Sequence, residues 1–120
     1  MEKILAIDFD GTIVTHEFPK IGTPIPHAKE VINRLFDEQY YIIIWSCRGS
    51  FNLIEAYIYL KENGIKFHKF NENAPIDLTG FHPHPKIYAN IYIDDANLGG
   101  LPEWREIYKI ITNKEYEVEL

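Results

Sequence analysis

Lys3-Ile4-Leu5-Ala6-Ile7-Asp8-Phe9-Asp10-Gly11-Thr12 begins as an unbroken apolar run and ends on two carboxyl groups and a glycine. A short apolar run bounded by a turn signal reads as a buried strand. Gly11 lets the chain turn sharply after it. The next stretch, 11–26, holds glycine, threonine and three prolines and reads as a loop or irregular hairpin. Pro26 then opens a helix whose Ala28, Val31, Ile32, Leu35 and Phe36 share one face. Tyr40 to Trp45 is continuous and β-rich, as expected of a central strand covered on both faces. A second helix is expected from Phe51 to Asn63, stopped by Gly64, and a third strand from Lys66 to Phe70. Residues 71–85 are polar and proline-containing and read as a long loop. Asn90 to Ile93 leads as a fourth strand into Asp94-Asp95, Pro102 opens a last helix, and Tyr116 to Leu120 is expected to add a fifth strand. Strands alternating with helices predict an α/β fold: a doubly wound, Rossmann-like parallel sheet with helices on both faces.

The chain of 120 residues suits a single domain, 1–120. Hydrophobic residues make up 46% and aromatics 14%, enough to fill a core. The net charge of −6 argues against general nucleic-acid binding, which needs a positive surface to meet phosphates. Cys47 has no second cysteine to pair with, so a reducing cytoplasm is the expected compartment. No long apolar stretch predicts a membrane span, and the acidic start does not read as a signal peptide.

The positions of the acids carry the chemistry. Asp8 and Asp10 end the first strand, and Asp94 and Asp95 end the fourth. A parallel sheet brings these ends to one edge, where ligands sit in such folds. Carboxylates crowded together disfavour one another's charge unless a cation joins them. Oxygen-only ligands select a hard ion, and Mg²⁺ is the usual choice where phosphate is handled. A single aspartate after a strand would read as a turn or cap; two pairs ending two strands point to a site.

Ile7-Asp8-Phe9-Asp10-Gly11-Thr12 resembles the first motif of the haloacid dehalogenase superfamily of phosphohydrolases. Ile44-Trp45-Ser46 is similar to the second motif and Ile93-Asp94-Asp95 to the acidic fourth, so the resemblance runs from Lys3 to about Asn97. It implies a Mg²⁺-dependent phosphomonoesterase in which Asp8 attacks phosphorus and becomes an aspartyl phosphate. Asp10 is then the general acid and base. Ser46, with backbone N–H groups at the next helix start, would hold the phosphate. Asp8, Asp10 through its backbone carbonyl, and Asp94 would bind the metal, with Asp95 acting directly or through water. For the cationic third motif the candidate is Lys86, eight positions before Asp94. A fully extended chain would separate the two by roughly 26 Å at about 3.3 Å per residue, so the assignment requires a turned segment.

Arg48 is a second candidate for an anionic group of the substrate, against a reading as a solvated loop residue. His82 and His84 alternate with prolines and lack a cysteine partner, which favours loop histidines over metal ligands. Lys61, Lys66, His68 and Lys69 read as a solvated basic face. Larger members of the superfamily insert a cap domain, and 11–26 and 71–85 are each too short to fold one. A capless site is open. Either a second copy in a homo-oligomer covers it, or a bulky phosphorylated substrate, small molecule or macromolecule, excludes water itself. Two other functions remain in view: a phosphate-receiver signalling domain, whose phosphorylated aspartate ends the third strand, and a non-catalytic binding module on the same fold.

Overall fold

The opening apolar run forms β1 (Ile4–Asp8), the centre of the sheet, with Ile4 to Ile7 all buried. A computed structural model describes residues 3–75 and 86–117. After β1 come α1 (Ala28–Asp37), β2 (Tyr41–Trp45), α2 (Ser50–Glu62), β3 (Lys69–Phe70), β4 (Ile91–Ile93) and α3 (Trp104–Thr112). The strands form one all-parallel sheet in the order β3-β2-β1-β4. The chain steps outward from β1 to β3, then returns across β1 to place β4 on its other side. The strand order therefore reverses between β1 and β4.

Alternation along β1 sorts the side chains onto two faces. Leu5 and Ile7 join Ile42, Ile44 and Ile93 in the main core, which also takes the buried stripes of the three described helices. α1 supplies Val31, Ile32 and Leu35, α2 supplies Ala56 and Leu60, and α3 supplies Trp104, Ile107 and Tyr108. Full burial of each large apolar side chain contributes about 1.5–3 kcal/mol. Ile4, Ala6 and Ile43 point the other way, onto Ala74 and Ala89 with Tyr41, Trp45, Ile87, Tyr88 and Tyr92 beside them. Among the described residues that second face is covered by the irregular segments flanking β3 and β4, not by a helix. Side chains from those segments complete the pairing: Asn73 Oδ1 accepts from Tyr88 N at 2.7 Å and Asn90 Oδ1 from Ile4 N at 2.7 Å.

Element boundaries shift for local reasons. α1 begins at Ala28 rather than Pro26 because His27 takes a left-handed conformation, φ 67°. α2 begins at Ser50, just ahead of the expected Phe51, and Gly64 ends it as expected, with φ 69°. The third strand shrinks to Lys69–Phe70 because His68 uses its side chain on β2: Ile42 N donates to His68 Nδ1 at 3.0 Å. The same imidazole is stacked between Phe36 and Tyr41, each 4.4 Å away, so His68 is part of the packing and not of a solvated basic face. Lys66 pairs with Asp37 and Lys69 with Glu72. The expected fifth strand does not form through Glu117. Tyr116 instead packs edge-on against Tyr108 at 5.3 Å, under the Arg34 guanidinium at 4.9 Å. Residues 118–120 of that strand, and His82 and His84, lie outside the described residues.

The stretch after β1 is an irregular hairpin. Val14 and Pro24 form an antiparallel bridge, and Thr15 N donates to Thr23 O at 2.8 Å while Thr23 N donates to Thr15 Oγ1 at 2.9 Å. These bonds close its neck and leave residues 16–22 as its tip. No described helix is long and apolar enough to cross a membrane.

Candidate functional site

Register fixes the first two acids. β1 pairs Ile7 with Ile93, so the next residues, Asp8 and Asp94, leave the sheet side by side at the carboxyl edge. One carboxylate oxygen from each of Asp8, Asp94 and Asp95 lies within 4.8 Å of the others. Asp94 Oδ1 accepts from Ala96 N at 2.9 Å, which closes a tight turn after β4. Thr12, fully buried, joins the two strand ends: its hydroxyl donates to Asp8 Oδ2 at 3.3 Å and accepts from Asp95 N at 3.1 Å. Trp104 Nε1 holds the Thr12 carbonyl at 2.9 Å, tying α3 to the same turn. Gly11 has φ 83°, and a Cβ there would collide with the Asp95 carboxylate. The glycine is thus required both by the backbone and by the approach of Asp95.

Burial, then the neighbouring Asp94 charge and the Asp95 carboxyl, push the Asp8 carboxyl up to about 7. The shift reflects burial first, and then the crowding of three carboxylates that resist full ionisation without a cation. The donor set is oxygen-only, close enough for a shared ion and partly open to water, which suits a hard divalent cation such as Mg²⁺.

The Asp10 carboxylate does not join this cluster. Its two oxygens accept from Arg48 Nε and Nη2, both at 2.8 Å. Arg48 is buried and also donates to the carbonyls of Pro19 at 3.0 Å, Lys20 at 2.9 Å and Asn52 at 3.4 Å. A guanidinium has five N–H donors, and these contacts engage all of them. Arg48 is therefore neither a solvated residue nor a free clamp for substrate; it fixes Asp10 and the hairpin. Ser46 is buried as well, and its Oγ accepts from Arg48 N at 3.0 Å. Asn71 brackets it, accepting from Ser46 N at 2.7 Å and donating to Ser46 O at 3.1 Å. Lys86 is exposed, with its ammonium 5.1 Å from the centre of the Tyr92 ring.

A cleft of about 540 Å³ opens beside the acids, lined by Asp8, Asp10, Asp94 and Asp95 together with His16, Phe18, Trp45 and Cys47. Ser46 and Lys86 are not among the side chains that line it. The structure thus gathers Asp8, Asp94 and Asp95, sets Asp10 at the wall on Arg48, and leaves Lys86 elsewhere. Sequence reasoning gave no role to Thr12, Asn71, Phe18 or Trp45. Thr12 stands within the quoted motif and Trp45 beside Ser46, so those two carried a positional signal; Phe18 and Asn71 carried none. No aspartate ends β3, where Phe70 is followed by Asn71, so the defining residue of a receiver domain is missing there.

No protein-family model matches the chain, and no curated protein matches it. A solved structure, that of a conserved protein from Bacteroides thetaiotaomicron, superposes with a TM-score of 0.84 at 39% sequence identity, covering 97% of this chain and 94% of that one. At that identity and coverage, the chain belongs to the same family as this conserved Bacteroides thetaiotaomicron protein.

Proposed function

We propose that the protein is a Mg²⁺-dependent phosphomonoesterase of the haloacid dehalogenase type, with a capless, doubly wound domain and Asp8 as nucleophile. The observation that carries this reading is the meeting of Asp8, Asp94 and Asp95 within 4.8 Å at the point of the sheet where strand order reverses. Asp8, Asp94 and Asp95 would hold the ion, which supplies positive charge for both the carboxylates and the incoming phosphate.

In the proposed reaction an Asp8 oxygen attacks phosphorus and the bond from phosphorus to the ester oxygen breaks. Asp10, held as a carboxylate on Arg48, first takes up a proton from water in the cleft. It gives that proton to the departing oxygen, then takes one from the water that attacks the aspartyl phosphate, releasing phosphate and restoring Asp8. Arg48 holds Asp10 in one orientation through both oxygens, and each oxygen keeps a second lone pair for the proton. With Arg48 fully engaged and Lys86 over Tyr92, the ion is the main positive charge available to the phosphate among the described residues.

Phosphate release from a panel of phosphomonoesters tests the reading. Hydrolysis should require Mg²⁺, vanish with EDTA and fall by several orders of magnitude in Asp8→Asn. Undiminished turnover in metal-free buffer or in Asp8→Asn would rule the mechanism out, and absence of turnover with a retained fold would favour a binding module.

A further inference from the structure

We propose that the cleft beside Asp8 selects phosphate monoesters whose alcohol carries one uncharged aromatic ring system, with Phe18 and Trp45 as the specificity residues. This rests on the phosphomonoesterase reading and adds the substrate class to it.

Two rings and the acids share one cleft. Phe18 is 50% exposed, although a phenyl ring is usually withdrawn from water. It stands on the hairpin tip, whose neck is closed by the Thr15–Thr23 bonds, and the Arg48 guanidinium lies 5.1 Å from its ring centre. The ring is therefore held in place at the cleft, so little ordering remains to be done when a ligand stacks on it. Trp45 is the β2 residue paired in register with Asp8, which brings a second aromatic surface next to the nucleophile.

Charge narrows the class further. Besides the acids, the lining side chains include one cation, Arg48, and its five donors are taken by Asp10 and three carbonyls. Lys69 is paired with Glu72, and Lys86 sits over Tyr92. Among the described residues that line the cleft, a second phosphate or a carboxylate on the substrate would thus face acids, with the His16 ring as the one basic group left to meet it. The volume of about 540 Å³ suits a ligand of one ring system and one phosphate. An aryl-alkyl phosphate and a nucleoside monophosphate share this chemistry.

The test compares kcat/KM of the full chain with Mg²⁺ on matched pairs that have the same type of leaving oxygen. Benzyl phosphate is set against propyl phosphate, and nucleoside 5′-monophosphates against ribose 5-phosphate, with a hexose bisphosphate alongside. At least one ring-bearing member should exceed its ringless partner by about tenfold or more, the scale of one aromatic stacking contact; which pair shows it identifies the source. Phe18→Leu should reduce that ratio several-fold, mainly through KM, while Phe18→Trp should retain it. Equal rates within both pairs, or preference for the bisphosphate, would overturn the inference and leave an Asp8-dependent phosphatase standing. No hydrolysis of any member would overturn the phosphomonoesterase reading and this inference with it.

Discussion

Asp8, the proposed nucleophile, sits where two requirements conflict: a nucleophile must be ionised, yet burial and two neighbouring acids oppose its charge. Its carboxyl is pushed up to about 7 from the ordinary value of 3.8. Between those values the unfolded chain has released the proton while the folded chain still holds it. Stability of the metal-free protein therefore loses this contribution as pH rises from about 4 to 7 and levels off above. Asp8→Asn removes the titration, so in EDTA the variant's melting temperature should gain on that of the parent steadily across this window. A constant difference between the two would show that Asp8 is not strained. The acids ending β1 and β4 were legible because strand-end position follows from apolar runs alone. The turning of Asp10 toward Arg48 was not, since it depends on a partner 38 residues away. For the same reason Arg48 read as a substrate clamp or a solvated loop cation when it is a buried, fully bonded one.

At the scale of elements, periodicity located all three described helices and the first, second and fourth strands to within two or three residues. The failures lie where a side chain replaces a backbone group. The third strand was expected from Lys66, but the His68 ring takes the place of a backbone acceptor and shortens it: His68 N donates to Ile42 O at 2.8 Å, and Ile42 N donates to His68 Nδ1. Nothing in the spacing of apolar residues announces a histidine that serves as a strand's acceptor. His68→Leu keeps an apolar side chain between Phe36 and Tyr41 but strands the Ile42 N–H. A loss of about 1–3 kcal/mol is expected for a donor left without an acceptor. Denaturant unfolding measures the loss, and faster amide exchange at Ile42 locates it. Unchanged stability with unchanged Ile42 exchange would mean that the bond contributes nothing. The described start of the last expected strand differs for another reason: Tyr116 covers the seam between α1 and α3 with its ring instead of extending the sheet.

For the whole molecule, the parallel order β3-β2-β1-β4 makes one edge of the sheet the meeting point of distant segments, and Arg48 joins three of them. Its guanidinium reaches Asp10 after β1, the carbonyls of Pro19 and Lys20 on the hairpin, and Asn52 in the first turn of α2. The Arg48 side chain is only 1% exposed, so water has little access to the carbonyls it binds, and Asp10, at 13%, meets water only from the cleft. Removing one member of a buried pair costs more than the pair itself contributes, because the other charge remains. Arg48→Met should therefore destabilise the protein by roughly 3–5 kcal/mol, leaving Asp10 unpaired and the hairpin carbonyls without donors. Arg48→Lys keeps the charge but cannot span a fork of two carboxylate oxygens and three carbonyls, so it should recover only part of the loss. The double change Asp10→Asn with Arg48→Met removes the stranded charge and should be more stable than Arg48→Met alone. Chemical denaturation of the parent, Asp10→Asn, Arg48→Met and the double variant gives the coupling, and limited proteolysis within residues 16–22 reports whether the hairpin has come loose. Additive losses, with the hairpin no more easily cut, would show that Arg48 does not hold these segments together.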